Sequence, residues 1–324
     1  MNTRYDRQVV LPEVGDAGQH RLTHACVLVA GAGGLGCAVL AYLAAAGVGQ
    51  IIVADPDLVE ESNLHRQPLY RMRDVGTPKV VAAQAALTAL NPEVRVHAHQ
   101  QRLTPDSIGA HLTGLDVVID AADSLALTYM LSDGCQAAAL PLVSASVLGL
   151  SGYVGVFCGG APSYRAVFPD MPGSVGSCAQ SGVLGTAVGV VGTLQAHLVL
   201  ALLLGLQPSP LGRLISVDLR SLRFGGFAFG GASEAATGTL RFIAPADLAA
   251  EDVVIELRSR AEAPQPLVAG ALRIDLETLE RAPPQLPPDA RVVLCCRSGV
   301  RAWRAARALQ ARGHARLALL AAGG

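Results

Sequence analysis

"HRLTHACVLVAGAGGLGCAVL", residues 20–40, is the stretch that decides the fold. An apolar run ends at spaced glycines, Gly31, Gly33 and Gly36, and "CAVLAYLAAAG" (37–47) follows. The run reads as a buried strand, the glycines as a tight turn whose backbone can approach a phosphate, and the last stretch as a helix closed by Gly47. "QIIVADPD" (50–57) is a second strand ending in Asp55 and Asp57. Together these form a βαβ unit, because parallel neighbours need a crossover helix. Asp55, 19 residues beyond Gly36, stands where a carboxylate holds ribose hydroxyls. On these residues alone, a nicotinamide dinucleotide and ATP remain open alternatives.

Outward from the turn, "PKVVAAQAALTALNP" (78–92) reads as a helix, "RVHAHQ" (95–100) as a strand, and "LDVVIDAAD" (115–123) as a strand buried on both faces. "PLVSASVLGLSGYVGVF" (141–157) is strand-like and interrupted by glycine. "VLGTAVGVVGTLQAHLVLALLLGL" (183–206) is long enough to span a membrane, but Gln195 and His197 favour a helix buried in the core or at a subunit interface. The glycine-rich stretch 225–238 is the best linker composition, with a smaller α/β unit after it. The expected architecture is α/β: a Rossmann-like, mostly parallel sheet over 1–230, a linker over 231–245, and a small domain over 246–324.

The chain has 324 residues, 51% hydrophobic and 16% charged, which excludes a disordered chain and is comfortable for two domains. A net charge of −1 gives no general case for nucleic acid or an anionic membrane. The charged N-terminus "MNTRYDRQVVLPEVG" lacks a signal-peptide core, and seven scattered cysteines suit reduced thiols, so a cytoplasmic protein is expected. Lys79 is the single lysine beside 24 arginines. Either it survived by chance or its site needs an ammonium that a guanidinium cannot replace.

"DPDLVEESNLHRQPLYRMRDVGTPK" sets Asn63, Arg66 and Lys79 downstream of the ribose carboxylate. Two cations and an amide match the needs of a triphosphate whose charge moves onto departing pyrophosphate. Asp123 is then the candidate Mg²⁺ ligand, since Mg²⁺ prefers carboxylate and phosphate oxygens. With "RYDRQ" (4–8), "GAGGLG" (31–36), "SNLHRQ" (62–67), "DVGTPK" (74–79) and "GTLQA" (192–196), residues 1 to about 225 resemble the HesA/MoeB/ThiF adenylyltransferases, bacterial relatives of ubiquitin-activating enzymes. The resemblance implies Mg-ATP and adenylation of the C-terminal Gly-Gly of a ubiquitin-like sulfur carrier. It assigns Gly31, Gly33, Gly34 and Gly36 to the phosphates, Asp55 with Asp57 beside it to the ribose end, Asn63, Arg66 and Lys79 to the phosphates, and Asp123 to the metal. It also implies a homodimer in which Arg7 reaches the neighbouring subunit's site.

This sequence departs from the family in three places. Ser163 and Ala166 stand where a first zinc-binding cysteine pair would lie, and no second pair follows, so no structural zinc is expected. Ser124 and Thr128 replace an asparagine and an arginine common in the family. Cys178 aligns with a cysteine some members use for thioester or persulfide chemistry; a buried inert thiol is the alternative.

"VVLCCRSGVRAWRAARALQARGHARLALLAAGG" resembles the C-terminal half of a rhodanese. That resemblance implies that Cys296 carries sulfur in the loop Cys296–Arg301, with Arg301 near the anion and Cys295 closing a buried strand. Glu256 replaces the usual Asp. Seven arginines follow Asp289 without an acid, a face for an acidic carrier or a solvated helix surface. The expected function is ATP-dependent adenylation of a carrier followed by sulfur transfer from a Cys296 persulfide, with an external persulfide donor. The alternatives are a non-catalytic scaffold that binds the carrier and, further off, a nicotinamide dehydrogenase.

Overall fold

The computed structural model describes residues 3–172, 182–234, 239–287 and 289–322. After the short helix α1 (Asp6–Val9) and α2 (Gly15–His24), β1 (Cys26–Ala30), α3 (Gly34–Ala46), β2 (Gln50–Ala54), α4 (Lys79–Leu90) and β3 (Arg95–His99) complete one half of a doubly wound sheet. The chain then crosses back through α5 (Pro105–His111) to β4 (Val117–Asp120), α6 (Leu125–Ala137) and β5 (Pro141–Leu148). β6 (Ser151–Cys158), α7 (Tyr164–Val167), α8 (Gly185–Leu204), β7 (Arg213–Asp218) and β8 (Arg223–Ala228) finish this part.

The eight strands lie in the order β3-β2-β1-β4-β5-β6-β7-β8. The first five run parallel and the rest antiparallel. β1 therefore sits between β2 and β4, where the winding reverses, and the crevice beyond the strand ends at that point is where such sheets bind ligands. Alternating side chains divide the core. Val27 and Val29 face α3 and α8 in one cluster, while Leu28 and Ala30 face α6 in another that continues into the second domain.

Several segments differ from their sequence expectation. The stretch 141–157 is a hairpin turning at Gly149-Leu150, and β4 stops at Asp120, leaving Asp123 in the loop before α6. Gly225 and Gly226, read as linker, lie inside edge strand β8, where glycine is tolerated because one side has no neighbour. Half of α8 is buried, against α3 and β5, as a core helix would be.

The second sheet is parallel throughout, in the order β11-β10-β12-β13-β9. Its strands are β9 (Arg241–Phe242), β10 (Val253–Glu256), β11 (Leu272–Arg273), β12 (Val292–Cys296) and β13 (Leu317–Ala321), with α9 (Leu276–Arg281) and α10 (Val300–Gln310) against it. α6 is shared: one side packs on the large sheet, the other on the small domain.

Candidate active site

β1 delivers the chain into the glycine turn at the reversal point. Gly31 has φ 101°, and a β-carbon there would meet the Ala121 backbone. At Gly36 it would overlap the Gly31 carbonyl oxygen, so both positions need glycine for close approach. α3 begins at Gly34 with Gly33 as its N-cap and no side chain bonded to the cap, leaving its first N–H groups open to an anion.

Asp55 holds this turn from below. Its Oδ2 accepts from Ala32 N–H at 2.7 Å and its Oδ1 from Asp57 N–H at 2.8 Å. Tyr70 O–H donates to Ala32 O at 2.6 Å from the other side. Burial pushes the Asp55 carboxyl above its ordinary range, with Lys79 and the two N–H groups opposing the shift.

Lys79, nearly buried at 6% exposure, places Nζ 2.9 Å from Asp57 Oδ2. Burial works to lower its ammonium, but Asp55, Asp57 and Asp123 around it outweigh that and raise it. Lys79 therefore stays charged beside the turn, as a phosphate contact requires.

Asn63 ends a 3-10 turn over Glu61–Asn63 and Arg66 follows it, both half-buried. Arg66 Nη2 donates to Asn63 Oδ1 and Nη1 meets His65 Nε2 at 2.8 Å. This segment is wedged between two helices. A β-carbon at Gly185 of α8 would overlap His65 O, and one at Gly34 of α3 would touch Arg66. Arg66 is thus set over the first turn of α3.

Asp123 is exposed in the loop after β4, and Ser124 caps α6 by accepting from Leu127 N–H at 3.4 Å. Among the described residues no group of three or more His, Cys, Asp and Glu forms a metal cluster. An exposed carboxylate at this position, near Lys79, still fits Mg²⁺, which takes one or two carboxylates plus phosphate oxygens rather than an all-protein cage.

Beneath Asp123 lies a network not foreseen from sequence. Asp120 is fully buried and accepts from Thr128 Oγ1 at 2.7 Å, Ser144 Oγ at 2.8 Å and Ala122 N–H at 3.4 Å. Burial raises its carboxyl to about 6 against those three donors. Thr128, standing where the family has arginine, is therefore an uncharged donor that ties α6 to β4. Its signal was available: a hydroxyl one turn after an N-cap points back at the strand end.

Arg7 is not brought to this site. Its neighbour Gln8 bonds Ala46 O at the C-terminal end of α3, and a 13-residue helix puts that end about 20 Å from the turn. Arg7 itself is exposed. Cys178 lies outside the described residues. Where the first zinc pair would fall, Ser163 instead donates from Oγ to Glu234 Oε2 at 2.6 Å and from N–H to Glu234 Oε1 at 2.7 Å.

The second site is built at the end of β12. Cys296 is fully buried, and its Sγ accepts N–H from Gly299 at 3.1 Å and Ala302 at 3.4 Å. Gly299 makes the curl with φ 82°. Amides aimed at sulfur with a helix start behind them stabilise an anionic thiolate or persulfide. Cys295 packs with Val254, Val293 and Leu320 in a separate cluster from Cys296, and burial raises its thiol to about 12.

Arg301 is not a free partner of the sulfur. It grips Glu262 with two bonds of 2.9 and 2.7 Å, and that grip holds the Glu262 carboxyl down at about 2. Cys296 contributes less to the raised Arg301 pKa than Glu262 does. Glu256, in place of the usual Asp, is buried and bonds Arg258 twice, at 2.9 and 2.7 Å. The Glu-x-Arg spacing at a strand end was the legible signal for that pair.

Each half matches a known family. The ThiF family model matches residues 5–234, and the rhodanese-like domain model matches residues 244–324. The chain is 45% identical over 229 residues to a sulfur carrier protein adenylyltransferase of Thermus thermophilus, covering 68% of this chain and 84% of that one. It is 49% identical over 218 residues to adenylyltransferase and sulfurtransferase MOCS3 of Bos taurus, covering 66% of this chain and 48% of that one. The alignment thus spans about half of the MOCS3 relative. A SAMP-activating enzyme E1 of Haloferax volcanii is 41% identical, with 68% and 83% covered. The E. coli MccB structure with ATP superposes with a TM-score of 0.62 at 23% identity, over 71% of this chain and 72% of that one, which shows a shared fold.

Proposed function

Because this chain belongs to the ThiF family, we propose that it is a sulfur-carrier adenylyltransferase and sulfurtransferase, activating the C-terminal glycine of a ubiquitin-like carrier with ATP and then replacing an oxygen by sulfur. One observation supports this best: a glycine turn with Lys79, Asp55, Asp57 and Asp123 beside it, and a buried cysteine whose sulfur accepts from two backbone amides, occur in one chain.

In the first half-reaction a carboxylate oxygen of the carrier attacks the α-phosphorus of ATP. The bond to the bridging oxygen breaks, pyrophosphate leaves, and an acyl-adenylate remains. Lys79 and Arg66 face the charge that moves onto pyrophosphate. Asp123 would hold Mg²⁺, which when bound neutralises phosphate charge. In the second half-reaction the terminal sulfur of a Cys296 persulfide attacks the acyl carbon. AMP leaves, giving an acyl disulfide on Cys296. A thiolate, Cys178 or a free thiol, then attacks the Cys296 sulfur; the S–S bond breaks and the carrier departs as a thiocarboxylate. A second thiol reduces the disulfide left behind.

In this reading the enzyme works in the cytoplasm as a homodimer, with Arg7 serving the neighbouring subunit's turn, since it lies at the far end of α3 from its own. An external persulfide donor recharges Cys296. The test is carrier-dependent ATP–pyrophosphate exchange over a panel of Gly-Gly-ending carriers. Exchange lost in Lys79→Ala and kept in Cys296→Ala supports the reading. A folded protein that exchanges with no carrier and binds one regardless would favour a scaffold instead.

A further inference from the structure

Domains joined by a linker usually move against each other unless a large apolar interface locks them. Here the interface resembles a core. Tyr129 of α6 packs on Trp303 of α10 with ring centroids 5.2 Å apart, inside a hydrophobic cluster shared by both domains. Arg165, 5% exposed, lies over both rings, at 4.8 Å from Tyr129 and 5.5 Å from Trp303, and is anchored on Asp133 by bonds of 2.6 and 2.9 Å. At the rim, Arg307 of α10 pairs with Asp170.

The placement of this interface matters more than its strength. Gly299, the residue whose amide holds the Cys296 sulfur, is packed on Ala126: a β-carbon there would come within 2.9 Å of the Ala126 Cβ and 2.7 Å of the Phe242 ring. Ala126 lies in the first turn of α6, three residues after Asp123. A crevice opens at this seam, lined among others by Arg102, Thr104, Ser124, Arg297 and Ala321. Ser124 directly follows the candidate metal carboxylate, and Arg297 directly follows the sulfur-bearing cysteine.

We infer that the rhodanese-like unit is fixed on α6, so that Cys296 passes its sulfur in cis, to the acyl-adenylate formed by its own chain, across the crevice between Ser124 and Arg297. This rests on the function proposed above. The transfer forms the bond from persulfide sulfur to acyl carbon and breaks the bond from that carbon to the AMP oxygen, with AMP as leaving group. α6 covers the face on which Trp303 lies.

Two measurements on the full chain test this. Trp303 is the sole tryptophan, so acrylamide quenching of its emission reports docking without reference to activity. Emission that stays shielded through additions of Mg-ATP and carrier is expected; a rise to the accessibility of free indole in any of these states would overturn the fixed docking. Second, Lys79→Ala and Cys296→Ala chains are co-expressed with different tags, purified through both, and assayed for carrier thiocarboxylate by mass spectrometry. Transfer in cis predicts no more product than either variant alone, and restored product would overturn it. Pyrophosphate exchange by the wild type separates the two failures: without exchange the adenylation reading falls, while Trp303 quenching still decides the docking.

Discussion

Asp120→Asn isolates a carboxylate that the fold buries completely. Burial raises Asp120 from its ordinary 3.8 to about 6. A carboxyl raised in the folded state binds a proton more tightly folded than unfolded. Its stabilising contribution is thus full below pH 3.8 and is lost as the pH rises through about 6. Integrating between these two values, the wild type gains about 1.4 kcal/mol on going from about pH 8 to about pH 5, and a side chain without a titrating proton gains none. Equilibrium urea unfolding of wild type and Asp120→Asn at both pH values measures this as a double difference. The neutral amide leaves the donors Thr128, Ser144 and Ala122 N–H only one side-chain oxygen to share. That cost is common to both pH values and cancels. A double difference below about 0.3 kcal/mol would show that the carboxyl titrates normally, and that the three hydrogen bonds offset its burial entirely.

Thr128→Val removes one of those donors at constant shape and should cost about 1–3 kcal/mol in urea unfolding at neutral pH. Lys79→Ala should lower pyrophosphate exchange by about 10²–10³-fold at saturating carrier, the usual loss for one preorganised charge at a developing anion. Gly299→Ala should cost about 1–2 kcal/mol from its left-handed backbone alone, and more from contact with Phe242 and Ala126. It should also depress sulfur loading of Cys296, read by mass spectrometry, while leaving exchange in place. Chelation of divalent cations should abolish exchange and restore it on adding Mg²⁺, with the circular dichroism spectrum unchanged throughout.

The placement of the candidate nucleotide-site residues was legible because it is set locally. Gly31 to Gly36, Asp55, Lys79 and Asp123 each sit within a few residues of a strand or helix end that hydrophobic patterning locates, and parallel βαβ winding places those ends together. The Cys296 loop was legible for the same reason: a strand ending at Cys296, a three-residue turn, and a helix from Val300. Gly225 and Gly226 misled because glycine content alone does not distinguish a linker from an edge strand.

What sequence by itself determined, then, is which residues stand at the ends of strands and helices: a glycine turn with Lys79 and its neighbouring carboxylates, and the loop that begins at Cys296. Tertiary structure alone decided which of these meet side chains distant in the chain. Thr128 reaches Asp120 only because α6 folds back on β4, Arg301 is held by Glu262 from another loop, and Arg7 is set at the far end of α3. Arg165 lies over both Tyr129 and Trp303 because two domains share α6, and that same sharing puts Gly299 on Ala126. Turns and periodicity depend on neighbours in sequence, whereas burial, ion pairing and docking depend on neighbours in space.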